Sequence, residues 1–196
     1  FYKRTEDGII DFTTTDKDGI STTSKQNLAG NQQYGLNMSI SFKVLPQWNI
    51  NSNVNVNYLD YNSGPLLTVN SGWGADVNLN TTYKLPADFA VQLFGEFTSR
   101  TITLQGYKTS RYYYSAAIKK TFPANKMMVT LAAVNPFNSS IGQTHVMNTS
   151  SFVSRINNQY FSQAAKLTFN WEFGRMFEQK SRKKISNDDV NAQPKG

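Results

Sequence analysis

Between residues 34 and 60 apolar and polar residues alternate almost without error, and the polar partner is most often asparagine. Tyr34, Leu36, Met38, Ile40, Phe42 and Val44 interleave with Gly35, Asn37, Ser39, Ser41 and Lys43. After Pro46 and Gln47 the pattern resumes as Trp48, Ile50, Val54, Val56 and Tyr58 against Asn49, Asn51, Asn53, Asn55 and Asn57. Successive side chains of a strand point to opposite faces, so each segment carries one apolar and one polar face. Asparagine is a poor strand former, and a row of it facing bulk water has little use. The pattern fits a wall whose polar face lines a wet interior and whose apolar face meets lipid. That is the arrangement of a transmembrane β-barrel.

Composition agrees. Hydrophobic residues are 39% of the 196-residue chain, below the ~45–50% of ordinary globular domains, whereas aromatics reach 13%. A thin lipid-facing skin with aromatic belts suits these proportions better than a thick soluble core. No run of apolar residues is long enough for a membrane-spanning helix. The absence of cysteine excludes disulfide scaffolds and thiolate metal sites. The net charge of +7 comes partly from residues 174–196, with six basic against three acidic side chains. The strand segments lack a basic stripe with interleaved aromatics, so nucleic acid is not an expected partner. The chain opens at Phe1-Tyr2-Lys3 without a secretory leader. For an exported barrel this implies a leader already cleaved, or a piece of something longer.

Alternation and turn residues together predict an all-β fold of about eight antiparallel strands. They are placed at Ile9–Thr15, up to Leu45, Trp48–Asp60, Trp73–Leu85, Phe89–Thr103, Tyr112–Phe122, Met127–Pro136, and a long last strand ending at Phe173. Asp16-Lys17-Asp18-Gly19 reads as a hairpin turn. Tight connections at Pro46-Gln47, Pro86–Asp88 and Pro123–Lys126 alternate with long ones at Tyr61–Gly72, Gln105–Arg111 and Phe137–Ser151. Short periplasmic turns and long outer loops are the usual asymmetry of such barrels. Trp48, Tyr83, Phe89, Phe122, Trp171 and Phe173 fall beside tight turns or the last strand's end. Tyr34, Tyr58, Trp73, Phe97, Tyr112 and Tyr114 fall at the opposite ends. Two aromatic girdles are therefore expected. Ile40, Phe42, Ile50, Val54, Val56, Val77, Leu79, Val91, Leu93 and Leu167 should meet lipid. Asn51, Asn53, Asn55, Asp76, Asn78, Asn80, Glu96 and Arg100 are the candidates for the lumen wall, with Lys43 and Lys84 on the same face. Residues 1–173 thus form the barrel segment. Residues 174–196, charged and poor in apolar side chains, are expected to be a disordered periplasmic tail.

The segment Lys166-Leu-Thr-Phe-Asn-Trp-Glu-Phe173 resembles the terminal strand read by the outer-membrane barrel assembly machinery, with Lys166, Trp171 and Phe173 as its signal residues. Tyr112–Phe122 followed by Met127–Asn138 is similar to the penultimate hairpin of TonB-dependent receptors. Val134, Asn135, Phe137 and Asn138 match the family's motif there, and Pro136 stands where Asp is common. Asn27–Ser41 resembles another strand of the same barrels, and Lys183–Asp189 the extension after the last strand in the Bacteroidota outer membrane β-barrel family. The resemblance implies the C-terminal part of a roughly 22-stranded plugged barrel that takes up solutes with TonB through a plug outside this sequence. A surface lipoprotein or assembly subunit is a further implied partner. The alternatives are a complete small barrel serving as adhesin or anchor, or a barrel subunit of a secretion or gliding assembly.

No catalytic, cofactor or metal site is expected. His145 is the only histidine and reads as a solvated loop residue without the partners of a metal site or triad. Asp16 and Asp18 lack the spacing and terminal Glu of a calcium loop. Ser and Thr are plentiful in the strands, but no base accompanies them, which argues against an enzyme. Pro136 cannot donate to a ladder and should mark a strand end or bulge.

Overall fold

The computed structural model describes residues 1–62, 69–149 and 151–173. Its strands are β1 (Tyr2–Thr15), β2 (Ser21–Leu45), β3 (Trp48–Asn62), β4 (Val69–Leu85), β5 (Phe89–Thr98), β6 (Thr101–Thr103), β7 (Gly106–Lys108), β8 (Arg111–Phe122), β9 (Met127–Val134), β10 (Ser140–Asn148), β11 (Val153–Phe161) and β12 (Ala164–Trp171). Eight of them form one antiparallel sheet in the order β1-β2-β3-β4-β5-β8-β9-β12, and four form a second in the order β11-β10-β7-β6. The fold is all-β. β1 and β12 are the two margins of the large sheet and do not pair with each other.

Register turns the sequence alternation into two faces. Leu36, Val56 and Ala75 stand in one cross-strand row, and Met38, Val54, Val77 and Phe97 in the next. This face is left uncovered. Leu36, Ile40, Phe42, Leu79, Leu93, Leu131 and Leu167 are all exposed, Leu167 by 72%. An apolar surface of this extent is not tolerated in water, and lipid is its natural complement. The second sheet lies against the opposite face, so these aliphatics are not the inside of a sandwich.

The aromatics fall into the two expected rows. Tyr34 pairs with Tyr58 and Tyr58 with Trp73 at the long-loop end, where Phe97 also pairs with Tyr112. Trp48 pairs with Tyr83 and Met127 with both Phe122 and Trp171 at the tight-turn end. The step from Trp48 to Tyr58, at ~3.4 Å per residue on strands tilted ~35–45°, spans about 25 Å, the height of a barrel's apolar band. Lys120 is on this outer face at the tight-turn rim, donating to the Ala87 carbonyl with its ammonium 4.6 Å from the Phe89 ring centroid. A lysine there keeps its stem in the apolar layer and its charge at the interface.

The tight turns use left-handed backbone at Ala87 and Asp88 (φ 55° and 58°), and at Lys126 (φ 51°) after a 3₁₀ turn over Pro123–Asn125. In the β1–β2 turn the Asp16 carboxylate accepts from the amides of Asp18 and Ile20, at 3.0 and 2.8 Å, and Gly19 supplies φ 80°. Asp16 is thus a turn cap.

Four expectations are corrected. β1 begins at Tyr2 and not Ile9. The strand expected over Phe89–Thr103 is broken after Thr98, and the long last strand is broken at Ser162-Gln163, so β6 and β11 leave the large sheet. The stretches read as loops at Gln105–Arg111 and Phe137–Ser151 contain β7 and β10. His145 is therefore a strand residue, opposite Ile156 and Lys108, and only partly exposed. Pro136 does mark a strand end, two residues beyond β9.

Candidate functional site: the polar wall and the sheet that covers it

Seven of the eight lumen candidates share one face. Across β2, β3, β4, β5 and β8 the rows read Asn37, Asn55, Asp76, Thr98, Arg111; then Ser39, Asn53, Asn78, Glu96, Tyr113; then Ser41, Asn51, Asn80, Phe94, Ser115. The side chains bond along the rows. Ser39 and Ser41 donate to the amide oxygens of Asn53 (2.8 Å) and Asn51 (2.7 Å). Asn53 donates in turn to Asn78 at 3.2 Å, Asn55 to Asn37, and Asn57 to Asn55 at 2.8 Å. An amide both donates and accepts, so the asparagines satisfy one another where propensity alone would disfavour them. Arg100 departs from this wall. It stands in the break after β5 with its guanidinium 3.5 Å from the Tyr107 ring centroid.

The second sheet rises from the long-loop end and folds onto this polar face. β6 and β7 connect β5 to β8, and β10 and β11 connect β9 to β12. The seat is built from small residues and amides. A Cβ at Gly72 would lie 3.0 Å from the Ile102 side chain, and one at Gly74 2.9 Å from the Asn57 amide oxygen. Glycine there lets β6 lie close over β4. Asn70 donates to the carbonyls of Thr103 (2.6 Å) and Gly106 (2.8 Å), holding both ends of the β6–β7 turn. Ile102, Leu104 and Ile141 are buried beneath the cover.

Two side chains anchor the arrangement. Gln105, in the β6–β7 turn, reaches β1: its oxygen accepts from the Thr13 amide and its nitrogen donates to the Thr13 carbonyl, both at 2.9 Å. The side-chain amide stands in for a neighbouring strand. Asn135 does the same where β9 ends. Its oxygen accepts from the Tyr114 amide at 2.9 Å, its own amide donates to the Tyr114 carbonyl at 2.8 Å, and its side-chain nitrogen donates to Ser162 Oγ at 2.6 Å. It is 0% exposed and left-handed, φ 41°. The sequence motif drew attention to Asn135 by resemblance alone, and Gln105 carried no signal. A backbone-mimicking contact 92 residues distant leaves no local pattern.

Two cavities open between cover and wall. One of about 290 Å³ is lined by Glu96, Thr98, Arg111, Tyr113, Ile141 and Tyr160. The other, about 470 Å³, is lined by Asp11, Lys25, Tyr61, Lys108, His145 and Met147. Burial, and then the charge of Lys108, hold the His145 imidazole below its ordinary value of 6.5. Of the three residues of the assembly-signal resemblance, Lys166 and Trp171 are in β12 and Phe173 lies just past it, 82% exposed, its ring centroid 5.6 Å from that of Trp171. The expected tail, 174–196, lies outside the described residues.

Gln105→Ala is expected to free the cover from β1. Two buried hydrogen bonds are lost and Thr13 is left unpaired, a destabilisation of about 1–3 kcal/mol read as faster protease cleavage between β6 and β7. The same cleavage should depend on pH. Because the His145 value is depressed in the folded state, its contribution to docking is complete above the ordinary value. It is lost as pH falls through the depressed one. Acidification should therefore speed cleavage, and His145→Asn should flatten that response.

An open antiparallel sheet with one lipid-compatible face, one amide-lined face and aromatic rows at both rims is the wall of an outer-membrane β-barrel. Residues 1–171 match the model of the outer membrane protein beta-barrel family, and the chain belongs to that family. It is a barrel protein of the outer membrane. No curated protein and no solved structure matches it.

Proposed function

We propose that this chain forms part of the wall of a TonB-dependent-receptor-like transporter, where it scaffolds a polar lumen for solute uptake. The observation that carries this reading is the second sheet seated on the polar face at the long-loop end. It narrows one mouth of a hydrated path and leaves cavities among charged and aromatic side chains. In this reading the long-loop end is extracellular, the tight turns are periplasmic, and the chain acts by positioning, without catalysis. Among the described residues β1 and β12 each pair with a strand on one side only, with Gln105 bracketing β1 at Thr13 alone, which supports a larger barrel over a closed eight-stranded anchor. The barrel assembly machinery is its partner during insertion, and TonB acts through a plug domain of the same protein. A surface lipoprotein is a further partner at the outer mouth.

The test is capture of the periplasmic domain of TonB by the full-length protein in detergent. Saturable capture that competes with a TonB-box peptide supports the transporter. Its absence from a correctly folded barrel favours the anchor or assembly-subunit alternatives.

A further inference from the structure

We propose that the tight-turn end of the inner wall is a binding site for small polyvalent anions of the phosphate type, built by Lys84 and Lys119, with Lys43 and Lys166 adding positive charge on either side. The inference rests on the reading of that face as a lumen wall. In the order of the large sheet, β2, β4, β8 and β12 are the second, fourth, sixth and eighth strands. All four run from the long-loop end toward the tight-turn end, and each carries one of these lysines on its polar face. Lys43 and Lys166 close the two ends of the row Lys43, Asn49, Thr82, Gln92, Ala117, Ala132, Lys166. Lys84 and Lys119 stand in the next row, with Ala90 between them.

Two strand spacings of ~4.8 Å separate Lys84 from Lys119, about 10 Å in all. Two flexible four-carbon stems span that gap readily, and the methyl of Ala90 is too short to hold them apart. Neither row contains an acidic residue. Among the described residues the ion pairs are Arg4 with Glu6 and Lys25 with Asp11, both elsewhere. Of the acids, Asp76 and Glu96 lie in rows nearer the long-loop end, and Asp88 and Glu172 stand at the tight turns outside both lysine rows. The contrast with Lys120 is informative: its charge is already engaged by the Ala87 carbonyl and two phenylalanine rings on the outer face.

Four like charges at one level of a wall raise the local positive potential, and a concave low-dielectric surface concentrates it. Rings of lysine or arginine select anions in pores by this means. The ammonium group is a compact point charge with three donors, suited to phosphate oxygens that approach from several directions. A polyvalent anion bound between Lys84 and Lys119 would relieve their mutual repulsion.

The experiment uses the full-length protein in zwitterionic detergent, with the folded barrel verified by heat-modifiable electrophoretic mobility. Inorganic tripolyphosphate is titrated calorimetrically at low and high salt. Saturable binding that weakens with salt is expected, with affinity falling on the order of tenfold in Lys84→Gln/Lys119→Gln. Lys17→Gln, in the turn at the far end of β1, should leave affinity unchanged. No binding to the folded barrel, or an equal loss in Lys17→Gln, overturns the site while leaving the lumen reading intact. A full-length protein that shows no heat-modifiable barrel overturns the lumen reading itself.

Discussion

Asn135→Ala is expected to destabilise the barrel wall by about 3 kcal/mol, the largest effect of any single truncation on the polar side. The loss has three parts. The Tyr114 amide, which now donates to the side chain of the fully buried Asn135, is left unpaired in a half-buried setting, at a cost of about 1–3 kcal/mol. The Ser162 contact disappears. Alanine must also adopt a left-handed backbone that asparagine tolerates far better. Asn135→Gly loses both side-chain bonds but keeps the left-handed backbone at no steric cost. Its cost should fall below that of alanine by about 1 kcal/mol. Urea unfolding in lipid vesicles, followed by tryptophan fluorescence, separates the two. Equal midpoints for Asn135→Ala and wild type would show that this bracket does not hold β8, β9 and β12 together.

Val54→Arg should cost ~2–4 kcal/mol, the penalty for a guanidinium at the bilayer midplane of a barrel's lipid face. Val54 lies between Met38 and Val77 in register, with the Trp48 row on one side and the Tyr58 row on the other. Its neighbour Asn53 points the other way, into the amide network. Asn53→Ala should lose only about 1 kcal/mol of hydrogen bonding, and the two substitutions read opposite faces of one strand. Unfolding in vesicles measures both. A cheap Arg at position 54 beside a costly Ala at position 53 would invert the assignment of the faces.

The large sheet was legible because its information is local. Period-two alternation from Tyr34 to Phe122 fixes which side chains share a face, and the proline-containing turns fix where strands reverse. Asn51, Asn53, Asn55, Asn78 and Asn80 accordingly share one face of the sheet. The second sheet was not legible. β6 and β7 are three residues each, too short for any period to show. In β10 and β11 both faces mix polar and apolar residues: Ile141 shares a face with His145, Thr144 with Val146, and Ile156 with Asn158. Where strands leave the large sheet, the break is made by a side chain that takes over a backbone bond. Ser99 accepts from the Ala75 amide at 2.7 Å after β5, and Asn135 holds Tyr114 after β9. Such partners are distant in sequence, so one long strand and two consecutive strands look alike. Arg100 was placed on the wall for the same reason, since parity was carried through a break.

The bond between Gln105 and Thr13 joins the turn that follows the sheet's fifth strand to its first. Geometrically it is a chord drawn across an arc. A curved sheet that does not close on itself can flatten or coil at little cost, because each hydrogen-bonded seam acts as a hinge. A chord removes that freedom as a string does for a bow: it fixes how far the first strand stands from the fifth, and so sets the radius. With that distance fixed, closing the cylinder becomes a matter of adding strands to a template and not of bending one.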